Sequence, residues 1–343
     1  MSIPTTMRRV VVDTGKIGTV LVDTPAPQAG EVLVRSVLTG VCGSDTHAAH
    51  GRHPFVSLPY QPGHEAVGVV ERVGADLTAP AVGQRVVVEP PLPCSHCKMC
   101  TSGRQNLCEN LLFFGCGWSQ GGMAEYFTIR ADRLHVVPDE LDDPTAALIE
   151  PLSTPVHAVR LAGDVSGRAV VVLGAGTIGL LVLSVLRAYG ARHVVVTDMR
   201  TDKRDHALAL GADAVVDAAA PDLNEQVRRE LGESADVVFD CVAIESTMRQ
   251  AIALASKGGT VVVVGVPVAD VSIPLATVQD HQIRIQGSAT YLPADYAESI
   301  DLLRRGAVRA ADIVTATFPM DQAAHAFDAA GGGEHTKVLI KIG

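Results

Sequence analysis

The stretch Ala169–Asp198, "AVVVLGAGTIGLLVLSVLRAYGARHVVVTD", decides the fold. It opens on a β-branched run and passes through three glycines. It continues at helical spacing and closes on a second Val-rich run that ends in an aspartate. Strand, tight turn, helix and strand make one parallel β-α-β unit. Gly174, Gly176 and Gly179 have the spacing G-x-G-x-x-G. In such a unit the first glycine permits the turn, the second lets backbone approach a pyrophosphate, and the third lets the helix lie close on its strand. The helix N-terminus, where Thr177 and Ile178 sit, then faces the phosphates of a dinucleotide. Asp198 lies 19 residues beyond Gly179, at the end of the next strand. A carboxylate there accepts hydrogen bonds from the adenine ribose and repels a 2′-phosphate, so NAD is expected over NADP. Arg200 and Lys203 complete this cofactor segment, and Arg200 and Arg204 are cations that keep NADP open as the alternative.

The first 18 residues of the stretch carry no charge and match a membrane span in length. The glycines and the change of periodicity read instead as a buried strand, a turn and a buried helix. On the C-terminal side the alternation continues through "DKRDHALALG", "AVVDA", "LNEQVRREL", "DVVFDCV", "STMRQAIALA" and "GTVVVVG". Val-rich runs with helices between them predict a parallel sheet covered on both faces. Val266 and Ser288 follow the last two strands and are expected to offer backbone to the nicotinamide carboxamide. "ADVSIPLA" at 269–276 reads as an edge strand.

On the N-terminal side the texture differs. Short runs such as "RRVVVDT", "EVLVRSVLTGVC", "EAVGVVERVG", "QRVVVEP" and "AEYFTIR" are punctuated by Gly and Pro. They predict a barrel of short antiparallel strands with long functional loops. The terminal "TKVLIKIG" is strand-like and is expected to return to that barrel. The class is therefore α/β, with residues 1–150 and 290–343 forming one domain and 151–289 the cofactor domain.

Bulk properties narrow the function. The 343 residues are 47% hydrophobic, enough for large cores, and the net charge of −10 disfavours nucleic acid as a partner. The N-terminus lacks the apolar core of a signal peptide, so the cytoplasm is expected, with no membrane partner. An odd count of seven cysteines then favours metal or catalytic roles over disulfides.

Four of those cysteines, Cys94, Cys97, Cys100 and Cys108, lie in "CSHCKMCTSGRQNLC" with the spacing C-x2-C-x2-C-x7-C. Short spacings let sulfurs of one loop converge on one ion. Four thiolates close a tetrahedral zinc site. The [4Fe–4S] run of bacterial ferredoxins needs a three-residue final gap followed by Pro, and Glu109 stands in that Pro's place. A closed site leaves no position for substrate, so this zinc is structural. A sparser set suits a catalytic zinc with an open position: Cys42 in "GVCGSDTH", His64 and Glu65 in "PGHEAVG", and Glu150 in "LIEPLS". Singly, each has a plain structural reading: a buried thiol, a core histidine, a helix-terminal charge. Beside a nicotinamide fingerprint they gain meaning, because hydride exchange with a carbonyl needs a Lewis acid on the oxygen.

In order along the chain, "GVCGSD", "GHE", the four-cysteine lobe, "EPLSTPVHA" and "GAGTIG" resemble the zinc-dependent medium-chain alcohol dehydrogenase family, and "GHE" followed by "EP" is similar to its sorbitol, butanediol and threonine dehydrogenase branch. The resemblance implies a GroES-like β-barrel catalytic domain and a Rossmann doubly wound cofactor domain. It implies two zinc ions per subunit, NAD as cofactor, and hydride transfer between a small secondary alcohol or polyol and its ketone. Cys42 and His64 would hold the catalytic zinc with Glu65 or Glu150 as the carboxylate, directly or through water. Ser44 and His47 would relay the substrate proton to solvent. Ser44, Phe113, Phe114, Trp118, Glu150 and Tyr291 would line the pocket, the aromatics serving equally well as core. A homodimer or homotetramer is implied. Zinc-free quinone or enoyl reductases lack the Cys42, His64 and Glu65 set.

Overall fold

The computed structural model describes residues 3–53 and 56–343. It divides into two compact units. One comprises the described residues through Pro151 with Leu292–Arg304 and Arg309–Gly343; the other comprises Leu152–Tyr291 with Arg305–Val308.

The first unit begins with a hairpin, β1 (Thr6–Asp13) and β2 (Lys16–Asp23). The long strand β3 (Glu31–Val41) follows, then helix α1 (Gly43–Ala49), β4 (Glu65–Val73) and β5 (Arg85–Val88). A lobe carries β6 (Pro91–Leu92), the single turn α2 (Lys98–Thr101) and β7 (Leu112–Phe113). Next come β8 (Tyr126–Arg130) and β9 (Leu134–Val136), then α3 (Asp143–Ala146) and the first turn of α4 (Ile149–Ala162), whose residues from Leu152 onward belong to the second unit.

The second unit alternates strand and helix: β10 (Ala169–Leu173), α5 (Thr177–Ala188), β11 (His193–Asp198), α6 (Thr201–Ala209), β12 (Ala214–Asp217), α7 (Leu223–Leu231), β13 (Ala235–Asp240), α8 (Glu245–Leu254), β14 (Ala255–Val263), α9 (Leu275–Asp280) and β15 (Arg284–Gly287). Every pairing in its sheet is parallel, in the order β12-β11-β10-β13-β14-β15. The order reverses beside β10, the switch point at which such sheets take dinucleotides. All five residues of β10 are buried, as a Val-rich strand covered on both faces must be. Full burial of each such aliphatic side chain contributes roughly 1.5–3 kcal/mol. No helix among the described residues is long and apolar enough to cross a membrane; the uncharged stretch is β10, a turn and α5.

"ADVSIPLA" is not a strand. Its backbone is irregular through Pro274, the N-cap of α9, and β15 takes the sheet edge instead. A proline beside the run removes a donor from any ladder and suits a helix start.

The chain then adds α10 (Pro293–Arg304), α11 (Ala310–Ile313), β16 (Val314–Pro319), α12 (Ala323–Gly331) and β17 (Lys337–Lys341) to the first unit. Its sheet runs β16-β17-β3-β4-β5-β9, with β8 also on β3. The strands pair antiparallel except β16 with β17, which are parallel because α12 crosses over between them. One edge of β3 is shared: β8 pairs with Glu31–Arg35 and β17 with Leu38–Val41. That sharing brings the last strand to the end of β3 that leads into Cys42.

Candidate metal centres and cofactor turn

Cys42 leaves the end of β3 and caps α1, while Glu65 opens β4 opposite Gly40 of β3. The register of two neighbouring strands thus converts distant sequence positions into neighbours. Ligand atoms of Cys42, His64 and Glu65 lie within 4.8 Å of one another, close enough to share one cation. Glu150 is outside that set. It is buried in the first turn of α4, and its charge acts on His64.

The electrostatics favour a cation at this point. Burial opposes charge on His64, yet Asp45, the Cys42 sulfur and Glu150 together push its pKa well above the ordinary histidine value. Nδ1 of His64 is buried with no hydrogen bond and faces Asp45 Oδ1 at 3.9 Å. With that nitrogen turned to a carboxylate, Nε2 is the ring atom on the side of the Cys42 sulfur, where a shared metal would bind. Carboxylate behind histidine is the usual outer support of a ligating imidazole.

Asp45 was not singled out by sequence reasoning. It is fully buried, accepts hydrogen bonds from the Cys42 backbone N–H at 3.0 Å and from the Tyr60 hydroxyl at 3.1 Å, and burial pushes its carboxyl pKa up. An aspartate three residues after a candidate ligand cysteine was the available signal. Lys337, the first residue of β17, was also missed. It is buried, donates from Nζ to the Val41 carbonyl at 3.2 Å, and forms an ion pair with Glu65. Burial opposes its charge, but Glu65, Cys42 and Glu150 hold its pKa above the usual lysine value.

Helix α1 places Ser44 and His47 three positions apart on one face, Ser44 half-buried and His47 exposed. Phe113 stands edge-on to the His64 ring, with centroids 5.8 Å apart. Phe114 does not line an opening; it is fully buried in a core cluster and packs on Phe127. Trp118 packs against the same cluster. Tyr291 is buried in the other unit.

The second constellation is the lobe. Ligand atoms of Cys94, Cys97, Cys100 and Cys108 lie within 4.8 Å of one another, and none of the seven cysteines is in a disulfide. Backbone N–H groups are aimed at the sulfurs: Cys94 to Cys108 at 3.2 Å, Asn110 to Cys108 at 3.4 Å and Cys100 to Cys97 at 3.5 Å. Backbone donors from His96 and Cys97 pull the Cys94 thiol pKa down to about 6, whereas burial and the neighbouring sulfurs push Cys100 up to about 12. Four sulfurs this close cannot all ionise unaided. A dication removes the conflict, so the donor set fits tetrahedral zinc.

In the second unit the three glycines of the turn have different surroundings. A Cβ on Gly179 would lie 1.8 Å from the Gly174 carbonyl oxygen, one on Gly174 would meet Val242, and one on Gly176 would meet nothing within 4 Å. The middle glycine therefore opens onto free space at the head of α5, as backbone approached by a pyrophosphate requires. Asp198 ends β11; its Oδ2 accepts from the Ala175 N–H and its Oδ1 from the Arg200 N–H, both at 2.9 Å. Arg200 pairs with Asp202, and Arg204 donates to the Asp198 and Met199 carbonyls. Lys203 is half-buried on α6, and Val266, beyond β14, is exposed. Ser288 follows β15; its N–H donates to the Val263 carbonyl at 2.9 Å.

Known proteins resemble this chain over nearly its whole length. The alcohol dehydrogenase GroES-like domain family matches residues 28–139, and the zinc-binding dehydrogenase family matches residues 177–305. D-xylulose reductase A of Aspergillus niger is 33% identical over 329 residues, covering 93% of this chain and 92% of that protein. An alcohol dehydrogenase of Escherichia coli CFT073, solved with NADH, superposes with a TM-score of 0.93 at 27% identity over 99% of this chain and all of that one. The 2R,3R-butanediol dehydrogenase of Bacillus subtilis does so with a TM-score of 0.91 at 27% identity, over 98% of this chain and 100% of that one.

Proposed function

Because the chain belongs to the zinc-dependent medium-chain alcohol dehydrogenase family, we propose that it interconverts a polyol or vicinal diol with its ketone, using NAD and two zinc ions per subunit. The observation that carries the reading is the convergence of Cys42, His64 and Glu65 in a chain that also carries the glycine turn. When bound, zinc supplies Lewis-acid polarisation of the substrate oxygen and the nicotinamide accepts or donates the hydride. Cys42, His64 and Glu65 would hold that zinc, and Cys94, Cys97, Cys100 and Cys108 the structural one.

The protein's own groups do the rest. Tyr60 holds Asp45, whose carboxylate lies 3.9 Å from His64 Nδ1, a placement that would favour one orientation of the imidazole toward a metal. Ser44 and His47 form a two-step proton path along one face of α1, from the half-buried hydroxyl to an imidazole in water. Glu150, buried and close enough to act on His64, is the polar group suited to bind a second hydroxyl. Phe113 beside His64 excludes water from one side. The relatives' acceptance of D-xylulose and butanediol points to the same substrate class. The test follows NADH absorbance with D-xylulose, and NAD reduction with 2R,3R-butanediol and a panel of polyols. Turnover that disappears on metal removal is expected. No turnover, or turnover indifferent to metal removal, would overturn the reading.

NAD preference rests on Asp198 and on the engagement of Arg200 and Arg204 with Asp202 and backbone carbonyls. Replacing Asp198 with Ala is expected to weaken NAD by about tenfold or more, since hydrogen bonds to a charged group contribute about 1.5–3 kcal/mol, while leaving NADP little changed. Asp198 also tethers the glycine turn through Ala175. Equal losses for the two cofactors would assign it to the turn alone. Seven free cysteines suit a reducing compartment, and we place the enzyme in the cytoplasm as a homodimer or homotetramer.

A further inference from the structure

We propose that Lys337 is a positioning residue that shares the Glu65 carboxylate with the catalytic metal and thereby sets how tightly that metal is held. The proposal rests on the assignment of zinc to Cys42, His64 and Glu65, and extends it to a residue 272 positions away in sequence.

Three observations carry it. Lys337 is only 3% exposed, and its ammonium contacts the carboxylate of Glu65, a member of the converging ligand set. The same ammonium is anchored on the Val41 carbonyl, one residue before Cys42, so it is fixed to the strand that delivers another ligand. The backbone is also cleared for the pair. A Cβ on Gly40 would fall 1.7 Å from Glu65 Oε2 and 2.9 Å from Lys337 Cε. Gly40 is the cross-strand partner of both Glu65 on β4 and Leu339 on β17, so the two side chains meet over the one residue that offers them room.

A buried ion pair made only for stability has no need to use a metal ligand, and replacing such pairs is often neutral. Here the ammonium does two things to the metal. It competes for lone pairs on Glu65, which weakens that oxygen as a donor. It also places a positive charge close to the ion, which is unfavourable where burial lowers the dielectric. Both effects loosen the metal. Removing the charge at constant shape should therefore tighten it, the opposite of what loss of a purely structural contact would do.

The experiment compares zinc release from zinc-loaded wild type, Lys337→Met and Lys337→Arg to the chromogenic chelator 4-(2-pyridylazo)resorcinol. Cys42→Ser identifies the phase that belongs to this site. Release from Lys337→Met is expected to be at least about tenfold slower, with Lys337→Arg close to wild type. The difference should vanish when Glu65 is also changed to Gln, because Lys337 acts through it. If the Met variant does not fold, Lys337→Gln carries the same expectation. Unchanged or faster release in a folded neutral variant, or a difference that survives Glu65→Gln, overturns the proposal and leaves the metal assignment standing. Absence of any Cys42-dependent phase in wild type overturns both.

Discussion

Replacing Cys42 with Ser lowers turnover by at least about 10³-fold, the equivalent of roughly 4 kcal/mol of lost transition-state stabilisation. A serine hydroxyl stays protonated at neutral pH and is a poor zinc ligand, so the cation loses one of its three converging donors. The fold should survive, for two reasons. Cys42 occupies the N-cap of α1, a position where serine is a preferred residue, and Asp45 still accepts the backbone N–H of residue 42. The signature is thus a dead but folded protein. Steady-state kinetics, metal content and far-UV circular dichroism together check it, with zinc falling from two toward one per subunit. Retained kcat/KM would exclude Cys42 from the reaction.

Replacing Cys100 with Ser gives the reverse profile. Four sulfurs gathered within 4.8 Å, with backbone N–H groups aimed at them, are stable only around a cation. The lobe has little regular structure of its own: a four-residue helix, one 3-10 turn at Gln105–Leu107 and two two-residue strands. Metal binding free energy is therefore folding free energy for this segment. Loss of a structural metal belongs among the largest single-residue effects on stability, at about 4–5 kcal/mol, and should lower the Tm by roughly 10 °C or more. Residual activity at low temperature should persist, because no residue of the lobe belongs to the Cys42 set. Thermal unfolding with and without a chelator, alongside metal content, measures this. Wild-type Tm with one zinc lost would show that the lobe holds itself together.

Legibility in the sequence followed the range of the interactions. The glycine turn and the four-cysteine loop were readable because each is local: the spacing itself closes the geometry. The convergence of Cys42 with His64 and Glu65 depends on the register of β3 against β4, which no spacing announces; the set was legible through its donor types beside a nicotinamide fingerprint and through family resemblance. Asp45 was overlooked because a buried aspartate in "GVCGSDTH" looks like a loop charge until Tyr60 and His64 surround it. Lys337 gave no signal at all, since its partner lies on a strand formed far earlier in the chain. "ADVSIPLA" misled because alternating apolar residues suggest a strand even where a proline has handed the backbone to a helix. Phe114 suited a pocket or a core equally well by sequence and is core, since a residue's facing is set by its neighbours rather than its chemistry.

The placement of β17 also bears on how the chain is born. Glu65 leaves the ribosome 272 residues before Lys337 does. At elongation speeds of about 5–20 residues per second, that is a wait of roughly 14–54 s. During it, β3 exposes the edge later taken by β17, and Glu65 lacks its counter-charge. The nascent first unit should thus be a client for chaperones until the last strand arrives. A premature stop codon only a few residues before Lys337 would remove the ammonium and the strand together, leaving an exposed sheet edge prone to pairing with other chains.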